Sequence, residues 1–346
     1  MKVINLGIIG MGRWAREAHL KNLKQLEDVF EITAISSRSE KNIEKAREII
    51  GKEVKVYREW RRLIKDEEIE AVIITTPNHT HEEIAFSSLE YGKHVLVEKP
   101  PALTVEGCRR LIALAREKDR ILQVGLELRY SDLFQKAKEI IKRGEIGDIQ
   151  LMWCREFRGP FLTQWRLNKE ISGGTLLEKN THHFDLFNWF AESIPVKVCG
   201  MGGKNVEKES EVIDNAFVLV EYEKGIRAAL LMCLFSPYGD ELEIGIIGDK
   251  GKIVCFDKSQ RILQYSALKP DSCEYSISPS PGVIEHEHHG TLKELKDFAE
   301  CIRKGKTPLS DGFAGELSVA VALSAEKSVG EGKYIYVPRP REFGRF

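Results

Sequence analysis

Val3-Ile4-Asn5-Leu6-Gly7-Ile8-Ile9-Gly10-Met11-Gly12-Arg13-Trp14-Ala15 decides the fold of the first third of this 346-residue chain. A β-branched apolar run leads into Gly-x-Gly-x-x-Ala, and a helical pattern follows it. At the first strand–helix turn of a βαβ unit, Gly10 permits the tight turn and Gly12 lets a pyrophosphate approach the backbone. Ala15 then lets helix and strand pack closely. The helix N-terminus adds N–H donors and a partial positive charge for phosphate. A dinucleotide is therefore expected around Gly10, Met11, Gly12, Arg13 and Trp14. The alternative is a pair of glycines that only turn the chain.

The next strand ends near Ser36, about where an acidic residue holds the adenosine ribose of NAD. Here the chain reads Ser36-Ser37-Arg38-Ser39. Hydroxyls and a guanidinium suit a 2′-phosphate, so the expected cofactor is NAD(P) with a lean to NADP, contacted by Ser37 and Arg38. Arg38 stacking on adenine or standing in water is the other reading.

Further along, residues 31–36, 54–57, 70–75, 94–97 and 121–124 repeat the β-branched pattern, with amphipathic stretches at 41–50, 82–91 and 105–118 between them. Strands alternating with crossover helices mean a doubly wound parallel sheet. After a helical stretch at 129–142 the pattern changes. Runs at 149–156, 212–221, 227–234, 243–247 and 252–256 are joined by turns such as Glu223-Lys224-Gly225 and Asp249-Lys250-Gly251, which implies antiparallel pairing. The expected organisation is a dinucleotide-binding α/β domain over 1–124. A second α/β domain with an open, mostly antiparallel sheet follows over 125–346, with helices at 174–191, 291–304 and 314–331.

Composition narrows the function. With 52 basic and 53 acidic residues the net charge is −1, which argues against a nucleic-acid partner. No stretch nears the ~18 consecutive apolar residues that span a bilayer. Seven cysteines, none in CxxC, fit reduced thiols in a cytoplasmic protein and not a zinc site or disulfide framework.

Two further features carry chemistry. Val97-Glu98-Lys99-Pro100 ends the fifth strand, and ligands of such sheets bind at the carboxyl ends of strands. A partly desolvated Lys99 there could exchange protons near neutrality, or it is an ordinary surface turn. In Gly173-Gly174-Thr175-Leu176-Leu177-Glu178-Lys179-Asn180-Thr181-His182-His183-Phe184-Asp185, Glu178, His182 and Asp185 fall at i, i+4 and i+7 of one expected helix. A histidine between carboxylates can act as acid or base, or simply pair at a surface; one helix offers too few ligands for a metal.

On these residues the chain resembles the glucose–fructose oxidoreductase, inositol dehydrogenase and rhizopine-catabolism (Gfo/Idh/MocA) family along nearly its whole length. The segments are Gly7–Ala15, Thr76-Pro77-Asn78-His79-Thr80-His81, Glu98-Lys99-Pro100, Gly125-x-Glu127-x-Arg129-Tyr130, Trp165-Arg166 and Gly173–Asp185. The resemblance implies NAD(P)-dependent oxidation of a sugar or polyol hydroxyl, or reduction of the ketone, by Lys99, His182 and Asp185 with Glu178. It implies cofactor contacts at Thr76, Pro77, Asn78, His81, Glu98 and Lys99. Substrate contacts are implied at Lys99, Arg129, Tyr130, Trp165, Arg166, Glu178 and His182. It further implies a homo-dimer or homo-tetramer built on the open sheet, and a cis Lys99–Pro100 bond. Glu178 and Asn180 stand where the family more often has Asp and Gly. Other classes remain: a redox-neutral hydrolase using bound NAD, and a non-catalytic dinucleotide sensor.

Remaining candidates are weaker. Glu285-His286-Glu287-His288-His289 is rich in metal-capable side chains, but so tight a spacing cannot surround one ion, and no metal is expected. Arg155 and Arg158, with Trp165 and Arg166, either bind substrate or form a solvated rim.

Overall fold

The structure, a computed structural model, describes residues 2–161, 163–237, 241–268, 272–278 and 290–341. It divides into two compact units, one of residues 1–130 with 280–315, the other of 131–279 with 316–346.

The first unit is built on six strands: β1 (Ile4–Ile9), β2 (Phe30–Ser36), β3 (Lys55–Tyr57), β4 (Ala71–Ile74), β5 (His94–Glu98) and β6 (Leu122–Gly125). All pair in parallel, in the order β3-β2-β1-β4-β5-β6. This is the doubly wound order, in which chain direction across the sheet reverses beside β1 and ligands collect at the carboxyl ends. Ala71, Val72, Ile73 and Ile74 are all buried, as expected of a central strand covered on both faces. The helix Thr291–Lys304 clusters with this unit, although the sequence pattern leaves it with the second domain. Leu292, Leu295, Phe298 and Ala299 pack into the core around Leu6, Ile8, Leu20 and Phe30, and Phe298 stacks on Phe30. That packing is non-local and leaves no trace in the local pattern.

The second unit carries nine strands: β7 (Ile149–Phe157), β8 (Pro195–Gly203), β9 (Asn215–Tyr222), β10 (Arg227–Cys233), β11 (Glu241–Gly248), β12 (Gly251–Phe256), β13 (Arg261–Ser266), β14 (Cys273–Ser276) and β15 (Ile335–Tyr336). They pair in the order β14-β13-β12-β11-β7-β10-β9-β8-β15, antiparallel except for β7 against β10. Along β9, Ala216, Val218 and Val220 are buried while Phe217 and Leu219 are exposed. One face is therefore core, and the other presents large apolar side chains outward.

The stretch expected as one helix over 174–191 is two. A short helix, Thr175–Glu178, is followed after Lys179 and Asn180 by Thr181–Ala191. The Thr181 hydroxyl donates to the Leu177 carbonyl, the acceptor that a continuous helix would offer to a backbone N–H. None of the seven cysteines is in a disulfide. The loop Glu285–His289 lies outside the described residues. Among the described residues no helix is long and apolar enough to cross a membrane.

Candidate functional site

In the first unit, Gly10 sits at φ +96°, a conformation that L side chains rarely adopt, and a Cβ there would stand 2.9 Å from the Thr75 backbone. The Gly10 N–H donates to Ser36 O at 2.9 Å and the Thr75 hydroxyl donates to Gly10 O at 2.6 Å, so the turn is tied to β2 and β4. At Gly12 the opposite holds: nothing lies within 4 Å of a would-be Cβ. The open side of the turn is where a phosphate would meet the backbone, so these residues fit a dinucleotide. Met11 is buried and its carbonyl accepts from Arg16, which also holds Asn42; Arg13 is paired with Glu17 on the surface.

Ser37 and Arg38 follow β2. The Ser37 N–H donates to Tyr57 O, and its hydroxyl accepts from Ser39 N; Ser39 in turn caps the helix Glu40–Ile50. Arg38 is exposed, and the nearby carboxylate of Glu40 is paired with Arg58.

The turns after β4 and β5 are joined by His81, whose ring nitrogens lie 2.6 Å from Thr76 O and 2.8 Å from Pro100 O. Burial pushes this imidazole below its ordinary range, against the two carbonyls. Asn78 is buried beside it on the short turn Asn78–Thr80. The Lys99–Pro100 bond is cis, and Lys99 is half-buried at the end of β5. Glu98 and Trp14, both expected near the cofactor, are directed at each other: Trp14 Nε1 donates to Glu98 Oε1 at 2.6 Å.

Arg129 and Tyr130 follow β6 and bond to the segment that leads out of the helix Thr291–Lys304. Arg129 donates to Leu309 O at 2.9 Å, and the Tyr130 hydroxyl donates to Asp297 Oδ2 at 2.7 Å while accepting from Ser310 N. Both are almost fully buried within the first unit. Their polar atoms hold residues 309–310 and the helix Thr291–Lys304 to the end of β6.

In the second unit, Gly174 stands at φ +106°, with the Glu326 carboxylate 2.6 Å from where a Cβ would be. That close approach lets Glu326 accept from Leu176 N at 2.7 Å and start the helix that carries Glu178. Glu178 is buried and paired with Arg166 at 3.0 Å. The Arg166 guanidinium lies over the Phe161 and Trp165 rings. One turn apart on the following helix, His182 is 9% exposed and Asp185 fully buried, with Asp185 Oδ1 accepting from Ser318 Oγ at 3.2 Å. The break between the helices means that Glu178 no longer shares a continuous stripe with them.

A charged network under this segment escaped the sequence reading. Glu156, fully buried, is met by Arg158 Nε at 2.6 Å, His183 Nε2 at 3.3 Å and Lys179 Nζ at 3.4 Å. Burial opposes the charge, yet His183, Lys179 and Arg158 together hold Glu156 far below the usual carboxylate range. His183 is buried too, and Asn180 Nδ2 lies 3.1 Å from its Nδ1. The signal was present: Met152, Cys154 and Glu156 alternate on the buried face of β7, so an acid occupies an inward position. Arg158 thus belongs to this network. Arg155 pairs with Glu241 and Glu243 on the sheet.

Two family models match the chain. One, described as an oxidoreductase family with an NAD-binding Rossmann fold, covers residues 4–126; the other, the C-terminal alpha/beta domain of that family, covers 138–337. The chain is 26% identical to myo-inositol 2-dehydrogenase of Thermotoga maritima over 96% of this chain and 98% of that protein. It is also 26% identical to scyllo-inositol 2-dehydrogenase (NAD(+)) of Bacillus subtilis, over 98% of each. Among solved structures, an oxidoreductase domain protein from Kribbella flavida shares the fold with a TM-score of 0.89 at 22% identity, covering 98% of this chain and all of that one. Levoglucosan dehydrogenase in complex with NADH and levoglucosan does so with 0.88 at 21%, over the same shares.

Proposed function

The chain belongs to the oxidoreductase family with an NAD-binding Rossmann fold, and from that premise we propose that it oxidises a secondary hydroxyl of a sugar or polyol, or reduces the corresponding ketone. The observation that carries the reading is the glycine turn at the switch point of the parallel sheet, closed at Gly10 and open at Gly12, with Lys99 at the end of β5. The curated relatives quoted are dehydrogenases of cyclic polyols, which supports this substrate class over a hydrolase or a sensor.

The nicotinamide, when bound, supplies the hydride chemistry. Gly10, Met11, Gly12 and Arg13 would hold its phosphates, and Thr76, Pro77, Asn78 and His81 form the neighbouring turn. The remaining work falls to side chains of this chain. Lys99, in the first unit, is assigned the hydrogen bond to the reacting oxygen, and His182, in the second, is assigned acid/base work. Asp185 orients the imidazole from one turn away. Glu178 and Arg166 form an ion pair that offers both acceptor and donor to hydroxyls, with Trp165 as an apolar wall.

At the adenosine end, exposed Arg38 beside the Ser37 and Ser39 hydroxyls supports a preference for the 2′-phosphate of NADP. Replacing Arg38 with Ala should then lower kcat/KM with NADP about tenfold while leaving that with NAD nearly unchanged. Phe217 and Leu219 of β9 are exposed apolar side chains, and exposed Met201 of β8 registers with Phe217, which supports a homo-dimer or homo-tetramer. Seven cysteines outside any disulfide support a reducing, cytoplasmic setting.

The decisive test is a panel of sugars and polyols offered with each dinucleotide and followed at the nicotinamide absorbance. Reduction of the cofactor by at least one cyclic polyol or sugar is expected. Bound cofactor with no turnover across the panel would overturn the reading.

A further inference from the structure

Trp14 and His19 stand five residues apart on the helix that follows the glycine turn. On an α-helix that spacing leaves two side chains about 140° apart around the axis, too far to share an acceptor. Between Ala15 and Leu20, however, the helix is a π-helix, whose i→i+5 repeat brings residue 19 round over residue 14. Both side chains then reach one atom: Trp14 Nε1 donates to Glu98 Oε1 at 2.6 Å, and His19 Nε2 lies 2.7 Å from the same oxygen.

The setting makes this more than packing. His19 is fully buried and Glu98 nearly so, and Glu98 is the last residue of β5, immediately before Lys99. Charged and titratable groups face it from Lys99 on its own turn, from His81 and from Glu294. Burial pushes the Glu98 carboxyl up; His19, Trp14 and Lys99 outweigh it and keep the group ionised. π turns are rare and interrupt the regular helical ladder, and they recur at functional positions. Here the interruption lies on the helix that starts at the glycine turn.

We propose that Trp14 and His19 are positioning residues that clamp Glu98 and so fix the Lys99 turn relative to the glycine turn, the π-helix being the device that aims both donors at one oxygen. The inference rests on Lys99 being the proton-exchanging group assigned above. It predicts that loss of either donor moves Lys99 while leaving the phosphate-binding turn in place.

The test uses the full-length protein with its best polyol substrate and NADH as the binding probe. His19→Leu and Trp14→Phe should each lower kcat roughly ten- to a hundredfold, since small misplacements of a reacting group carry costs of that order. The NADH dissociation constant of His19→Leu should stay within about threefold, because ground-state cofactor binding is not what the clamp serves. His19→Gln, whose amide N–H can replace the imidazole donor, should recover most of the lost kcat. Wild-type kcat in both variants, or a His19→Gln protein as impaired as His19→Leu, overturns the clamp. Lys99→Ala is measured alongside. If it is inactive while the clamp variants turn over normally, the clamp alone fails; if it turns over normally, the assignment of Lys99 fails and the clamp with it.

Discussion

Glu294 in the first unit and Glu156 in the second are both shut away from solvent, and their surroundings treat them in opposite ways. Glu294, on the helix Thr291–Lys304, is faced by Glu98, Glu127 and Asp297. Burial first, and then these negative neighbours, push its carboxyl well above the ordinary range. Glu156 meets Arg158, His183 and Lys179 and stays ionised. The same desolvation cost raises the carboxyl's proton affinity in one unit and is offset by cations in the other. The difference teaches that an inward acid in a sequence pattern does not state its charge; its neighbours do.

Opposite pH responses follow. Glu156 is depressed below its unfolded value of 4.5, so its contribution is fully present above that pH and is lost as pH falls below it. His183, depressed by burial below its unfolded 6.5, works in the same direction, since unfolded chains take up its proton first. For Glu294 the sign reverses: the unfolded carboxyl ionises above 4.5 and the folded one does not, so stability falls as pH rises from there.

The largest effect should come from Glu156→Gln, which removes the buried carboxylate that half-buried Lys179 and Arg158 meet. A loss of about 3–5 kcal/mol at pH 7 is expected from denaturant titration, narrowing as pH falls below 4.5. A variant as stable as the parent would break the comparison at this end. Next, Glu294→Gln should gain stability relative to the parent as pH rises, by about 1.4 kcal/mol per pH unit while the folded carboxyl remains protonated. An advantage that does not change between pH 5 and pH 7 would show that Glu294 is ionised in the fold. Smallest is the double variant. With no shared partners, the two changes should add to within about 0.5 kcal/mol, and a larger coupling would mean that the two networks are not independent.

What the sequence made legible was local in origin. The glycine turn and the parallel strands follow from short-range sterics and β-branched runs, and the cis Lys99–Pro100 bond came with the family resemblance. Strand β8 was missed because Pro195, Gly200, Gly202 and Gly203 read as punctuation, yet its pairing with β9 carries it. The break at Lys179–Asn180 was hidden by a helical period that runs through it without interruption. Thr291–Lys304 joins the first unit through long-range contacts that no local window contains. His19 passed unnoticed because an α-helical reading sends it away from Trp14; only the π turn brings the two together.

The central claim is that Lys99 serves chemistry while the glycine turn serves binding. It is tested most directly by turnover of Lys99→Ala with the best polyol, followed at the nicotinamide absorbance, alongside NADH titration. The account predicts a fall in kcat of about 10²–10⁴-fold, the range for a lost acid/base group, with NADH binding nearly unchanged. Normal turnover in that variant would contradict it.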